Sequence, residues 1–66
     1  MTLTFMYRDV NGLGRSCCRK STPNYKHARK IASEMLTKAD PINHFISVHK
    51  DGGPGLTFLF DVKRDQ

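Results

Sequence analysis

The sequence predicts an α+β fold, a four-stranded antiparallel sheet with one amphipathic helix packed on one face, in the order strand, strand, helix, strand, strand. Three observations predict it. Apolar residues alternate at period two near both ends of the chain, they recur at helical spacing between 25 and 39, and turn-forming glycines separate the members of each strand pair. At 66 residues the chain has room for one small domain, 1–66, and no second.

The first strand is read from Leu3, Phe5 and Tyr7 alternating with Thr4, Met6 and Arg8, and it ends at Val10-Asn11-Gly12, where Asn-Gly supplies positive φ at little cost. The second runs from about Arg15 to Ser21. Its residues Arg15, Ser16, Arg19, Lys20 and Ser21 are polar, the composition of an edge strand whose charges discourage edge-to-edge association. Thr22-Pro23-Asn24 then starts a helix, with either Thr22 or Asn24 as the cap. On a helical wheel Tyr25, Ala28, Ile31, Ala32, Met35, Leu36 and Ala39 share one arc, and Lys26, Arg29, Lys30, Ser33, Glu34 and Thr37 the other. Asp40-Pro41 ends the helix, because the residue before proline is pushed out of the α region.

A third strand is expected from His44 to Lys50 around Ile46 and Val48, followed by a turn over Asp51-Gly52-Gly53-Pro54-Gly55. Leu56, Phe58, Phe60 and Val62 then make the cleanest alternation in the chain and form the fourth strand, paired with the third as a hairpin. Residues 63–66 read as a polar tail. The expected core is Leu3, Phe5, Tyr7, Ala28, Ile31, Ala32, Met35, Ile46, Val48, Leu56, Phe58 and Phe60.

With 38% hydrophobic and 26% charged residues the composition is that of a folded domain, not a disordered chain. A domain this short buries only about 60% of the surface of its unfolded chain, which leaves little space for an enclosed catalytic cavity and allows a homodimer as a source of extra buried area. No apolar run approaches the roughly 20 residues of a membrane helix, and Leu3-Thr4-Phe5-Met6 is too broken for a secretory leader, so a cytoplasmic, reducing location with no membrane contact is expected. The two cysteines should then be thiols.

Little in the chain points to chemistry. Cys17 and Cys18 are adjacent, so on a strand their sulfurs face opposite sides and do not converge on one ion. His44 and His49 differ by an odd number and also diverge, and no metal or cofactor is expected. Gly52-Gly53-Pro54-Gly55 precedes a strand, whereas a phosphate loop opens a helix. The carboxylates are scattered, and no Ser or Cys has a histidine and an orienting acid at hand, so no catalytic residue is assigned and an enzyme is not expected.

Charge is the informative feature. The formal net charge is +5, and between Asp9 and Glu34 there is no acidic residue at all. That stretch holds Arg15, Arg19, Lys20, Lys26, Arg29 and Lys30, with His27 as a conditional seventh charge, so residues 10–33 carry +6 and the remainder nets −1. These six residues are the expected partner-binding set, on strand two and the outer helix face. Such a surface suits a protein or ribonucleoprotein partner with acidic faces, or nucleic acid directly.

The segment His27-Ala28-Arg29-Lys30-Ile31-Ala32-Ser33 resembles the helix of small phage-encoded type I-F anti-CRISPR proteins, and Phe5-Met6-Tyr7-Arg8-Asp9-Val10 is similar to that family's first strand. The resemblance implies the same strand-strand-helix-strand-strand order and an inhibitor that binds the host's crRNA-guided surveillance complex where target DNA would lie. It matches Arg29 and Lys30 to the family's contact pair on the helix. One turn later the family has a lysine and a glutamine where this chain has Glu34 and Leu36.

Overall fold

The computed structural model describes residues 1–64, folded as β1(Thr2–Arg8), β2(Gly14–Ser21), α1(Tyr25–Lys38), β3(Phe45–Gly52) and β4(Gly55–Lys63). The four strands form one antiparallel sheet in the order β2-β1-β3-β4, with α1 against one face. The α+β, ββαββ architecture is therefore the expected one. β1 and β3 occupy the centre and β2 and β4 the two edges, which places the polar second strand where its charges suggested.

The turns are built as their residues allow. Gly12 has φ +83°, a value that favours glycine, while the Asp9 carboxylate accepts from the Asn11 and Leu13 amides and closes the β1–β2 connection. The β3–β4 turn is tighter than expected, because Gly52 and Gly55 already belong to the strands and only Gly53-Pro54 connects them. Of the two candidate caps, Asn24 serves: its backbone is extended and its side-chain oxygen accepts from the His27 amide at 2.8 Å. At the other end Ala39 leaves the helical region one residue before Asp40-Pro41.

The core lies between the central strands and the helix. Leu3, Phe5, Ile46 and Val48 from β1 and β3 meet Ala28, Ala32 and Leu36 from α1, all of them buried. Two alanines one turn apart let the helix approach the sheet closely, and the molecule is only 15 Å across its shortest dimension. Tyr7, Ile31, Met35 and Phe60 from the expected core are half-buried at its margin, and Leu36, on the apolar arc of the helix but not among the expected core residues, is fully buried.

Leu56 and Phe58 depart further from expectation, being 48% and 55% exposed. A register shift explains both. Val48 pairs with Phe60 but His49 pairs with Phe58, so β4 holds one extra residue, Leu59, against the β3 backbone. A bulge of this kind reverses the side-chain alternation beyond it. Phe60 and Val62 stay on the helix side with Val48 and Ile46, whereas Phe58 follows His49 to the uncovered side. The expected tail also shortens. Lys63 is the last residue of β4, and Arg64 is tied down by its guanidinium, which donates to the Asn43 carbonyl at 2.9 Å. The rest of the expected tail, 65–66, lies outside the described residues.

Candidate partner-binding surface

The expected binding residues follow from strand parity and helical spacing. On α1 the buried row Ala28, Ala32, Leu36 fixes the inner side, so Lys26 and Lys30, one turn apart, stand exposed on the outside. With Asn24 and His27 they line an open depression of about 320 Å³ at the start of the helix. The first turn holds no acidic residue. Cations there oppose the positive end of the helix dipole, a placement that costs stability where carboxylates would add it.

Arg29 takes a different path. Its guanidinium carbon sits 4.0 Å from the centroid of the Phe60 ring, on the β4 side of the helix, and Tyr25 meets the same ring edge-on at 6.2 Å. Arg29 is thus exposed yet held by a cation–π contact. Lys20 lies on the helix side of β2 and lines, with Ile31, Glu34, Met35 and Lys38, a second depression of about 310 Å³ between the edge strand and α1.

The remaining two are set apart. Arg19 pairs with Thr4, on the side of the sheet away from the helix, and forms an ion pair with Asp51 reaching across from β3. Arg15 is the extra residue where Arg8 pairs with Gly14 while Tyr7 pairs with Ser16. It stands about 20 Å along β2 from Ser21, at roughly 3.3 Å per residue. The structure therefore groups Lys26 and Lys30, with Arg29 on the shoulder and Lys20 in the adjoining groove, and separates Arg15 and Arg19 from them. Strand two and the helix do not form one continuous basic surface.

A polar cluster that the sequence does not predict lies on the uncovered side. Arg8 Nε donates to Ser47 Oγ at 2.6 Å, its NH1 donates to the Gly12 carbonyl at 2.8 Å, and His49 Nε2 lies 3.1 Å from the same Ser47 oxygen. Ser47, His49 and Thr4 are buried there without a helix above them. Burial holds the His49 pKa below that of a free imidazole and the Arg8 guanidinium adds to this, while Asp61 pulls the other way. The Phe58 ring stands edge-on to His49 at 5.7 Å. The only signal in the sequence is that Ser47 and His49 share a face of β3; their partner Arg8 is revealed by β1–β3 adjacency alone.

Ser47 is 1% exposed, so its hydroxyl is a structural partner rather than an accessible nucleophile. Cys17 and Cys18 are free and face opposite sides, Cys17 exposed and Cys18 half-buried against the core. On the helix side, burial, and secondarily the Cys18 thiol, raise the Tyr7 phenol above its ordinary pKa. Among the described residues no three His, Cys, Asp or Glu side chains are grouped so as to hold a metal, and no helix is long and apolar enough to cross a membrane.

Fold and surface together define a class: a two-layer ββαββ domain with a cationic helix face. Compared with models of protein families, with curated proteins and with solved structures, the chain matches none. The ββαββ order is thus the chain's own, and no family model or relative supports the resemblance to type I-F anti-CRISPR proteins.

Proposed function

We propose that the protein is a non-enzymatic binding protein that docks through the outer face of α1 on a nucleic-acid-handling complex of its host, a crRNA-guided surveillance complex, and blocks the path of target DNA. One observation carries the reading. Lys26, Arg29 and Lys30 crowd the first two turns of a helix that has no acidic residue in its first turn, and the helix dipole disfavours the cation at Lys26. Local stability is given up for a charge pattern, and sequences break local rules chiefly where function demands it. A channel for DNA is itself cationic, so such a face would dock on acidic protein surface at its rim.

The test is capture of purified type I surveillance complexes by the immobilised protein at physiological salt. Capture by the parent and its loss in Arg29→Glu/Lys30→Glu is the expected result. No retained complex sinks the inhibitor reading.

A second reading is direct binding of DNA or RNA, favoured by Lys26 and Lys30, which stand exposed one turn apart beside His27. It predicts affinity for naked duplex that falls with salt at a log–log slope of about −0.9 per phosphate neutralised. Gel-shift titration at two salt concentrations separates the readings.

A further inference from the structure

The groove between α1 and β2 has a shape and charge that neither docking reading uses. Ala28, Ala32 and Leu36 seat the helix over the core, while Ile31 and Met35, on the flank toward β2, are only half covered. On β2 itself the helix-side residues before Lys20 are Ser16 and Cys18, both small, so the space above the edge strand stays open. Lys20 and Lys38 border this space against a single carboxylate, Glu34.

β2 is also a free edge. From Ser16 to Ser21 it pairs with β1 in unbroken register, so its outer row of amides and carbonyls is regular, whereas the other edge, β4, is interrupted in its middle by the Leu59 bulge. An unpaired regular edge is a template for one more strand. Its charges select which. A second copy of β2 would bring its own Arg15, Arg19 and Lys20 to the same edge and add positive charge to positive, while an acidic strand would bring opposite charges.

We infer that the β2 edge and its groove accept an extended acidic segment of a partner protein as a fifth strand, one apolar side chain of which reaches over Ser16 and Cys18 onto Ile31 and Met35. This rests on the reading of the chain as a protein-binding module and names a contact distinct from the outer helix face. Backbone pairing supplies affinity, the apolar side chain supplies register, and Lys20 and Lys38 supply the preference for carboxylates.

Titration of the full, isotope-labelled chain with a blocked nonapeptide carrying Leu at its centre, Glu two residues to either side on the same strand face and Thr at the other positions tests it by amide chemical shifts. Saturable shifts along Ser16–Ser21 and at Ile31 and Met35 are expected, with affinity weakened about tenfold or more in Lys20→Glu, an exposed change that leaves the core untouched. The same peptide with Lys in place of each Glu, and one with Gln in place of the Leu, should not bind. The inference is overturned by a well-dispersed spectrum that does not change up to about 1 mM peptide, by shifts confined to α1's outer face or β4, or by equal binding of the Lys peptide. Should the surveillance complex be captured through Lys26 and Lys30 while the acidic peptide fails, the groove is excluded and the docking reading stands. Peptide binding without capture keeps the groove and removes the inhibitor.

Discussion

The Arg29 guanidinium lies 4.0 Å above the Phe60 ring, which ties a residue of the cationic helix face to the edge strand β4. This contact gives Arg29 two roles that its neighbours Lys26 and Lys30 lack: it clamps helix to sheet, and it presents a charge in a fixed direction.

Arg29→Ala should therefore destabilise the fold by about 0.5–1 kcal/mol, the size of an exposed cation–π contact, while Lys30→Ala stays within about 0.5 kcal/mol of the parent. Urea unfolding of the three proteins measures the difference. Phe60→Leu keeps the charge but frees the side chain, so it should weaken capture of the partner less than Arg29→Glu and more than Lys38→Ala. Equal stability of the Arg29 and Lys30 variants would remove the clamp.

Asn24 is the helix's cap, and with no acidic residue in the first turn it has no electrostatic help. Asn24→Ala should cost about 1 kcal/mol, and Asn24→Asp should stabilise by a few tenths or more, because it keeps the acceptor for the His27 amide and adds a charge that suits both the dipole and Lys26. Thermal melts at low and high salt check the second claim, since the gain from aspartate should shrink as salt rises.

His49 makes stability depend on pH. Its folded pKa lies below the unfolded value of about 6.5, so the unfolded chain binds more protons just below neutrality and stability falls as pH falls. The contribution is complete above about pH 6.5 and is lost as pH drops from there to the folded pKa. Denaturation midpoints measured between pH 7.5 and 5.5 should decline, and His49→Gln should flatten the decline while keeping a polar neighbour for Ser47. An unchanged slope in the variant would show that His49 is not the group responsible.

What the sequence conveyed and what it did not separate along physical lines. Element type was legible because period two in Leu3-Phe5-Tyr7 and Ile46-Val48, and helical spacing in Ala28-Ala32-Leu36, are direct images of burial. Turns were legible because Gly12 and the Gly53-Pro54 connection are local chemistry. The Arg19–Asp51 pair and the Arg8–Ser47–His49 cluster were not, since both depend on β1 lying between β2 and β3, and strand order leaves no local trace. The cations between Arg15 and Lys30, adjacent in the sequence, divide between two faces of the sheet for a local reason, because Arg19 and Lys20 are neighbours on one strand and point to opposite sides. Leu59 carried no bulge signal: it continues an apolar run, and only cross-strand register exposes it.

That bulge yields the sharpest contrast to measure. If alternation ran unbroken through β4, Phe58 would sit in the core beside Phe60, and its truncation would cost what a buried phenylalanine costs. With Leu59 inserted, Phe58 is 55% exposed on the far side of the sheet, against 0% for Phe5. Phe5→Ala should then lose about 3–5 kcal/mol, enough to unfold a domain of this size, and Phe58→Ala about 1 kcal/mol or less. A second readout separates the arrangements even if both variants fold poorly. Phe58 packs edge-on against His49 and contributes to the burial that lowers its pKa, so Phe58→Ala should raise the His49 pKa toward its free value and flatten the pH dependence of stability. A Phe58 variant as damaging as the Phe5 one, with His49 titrating as in the parent, would place Phe58 under the helix and dismiss the bulge.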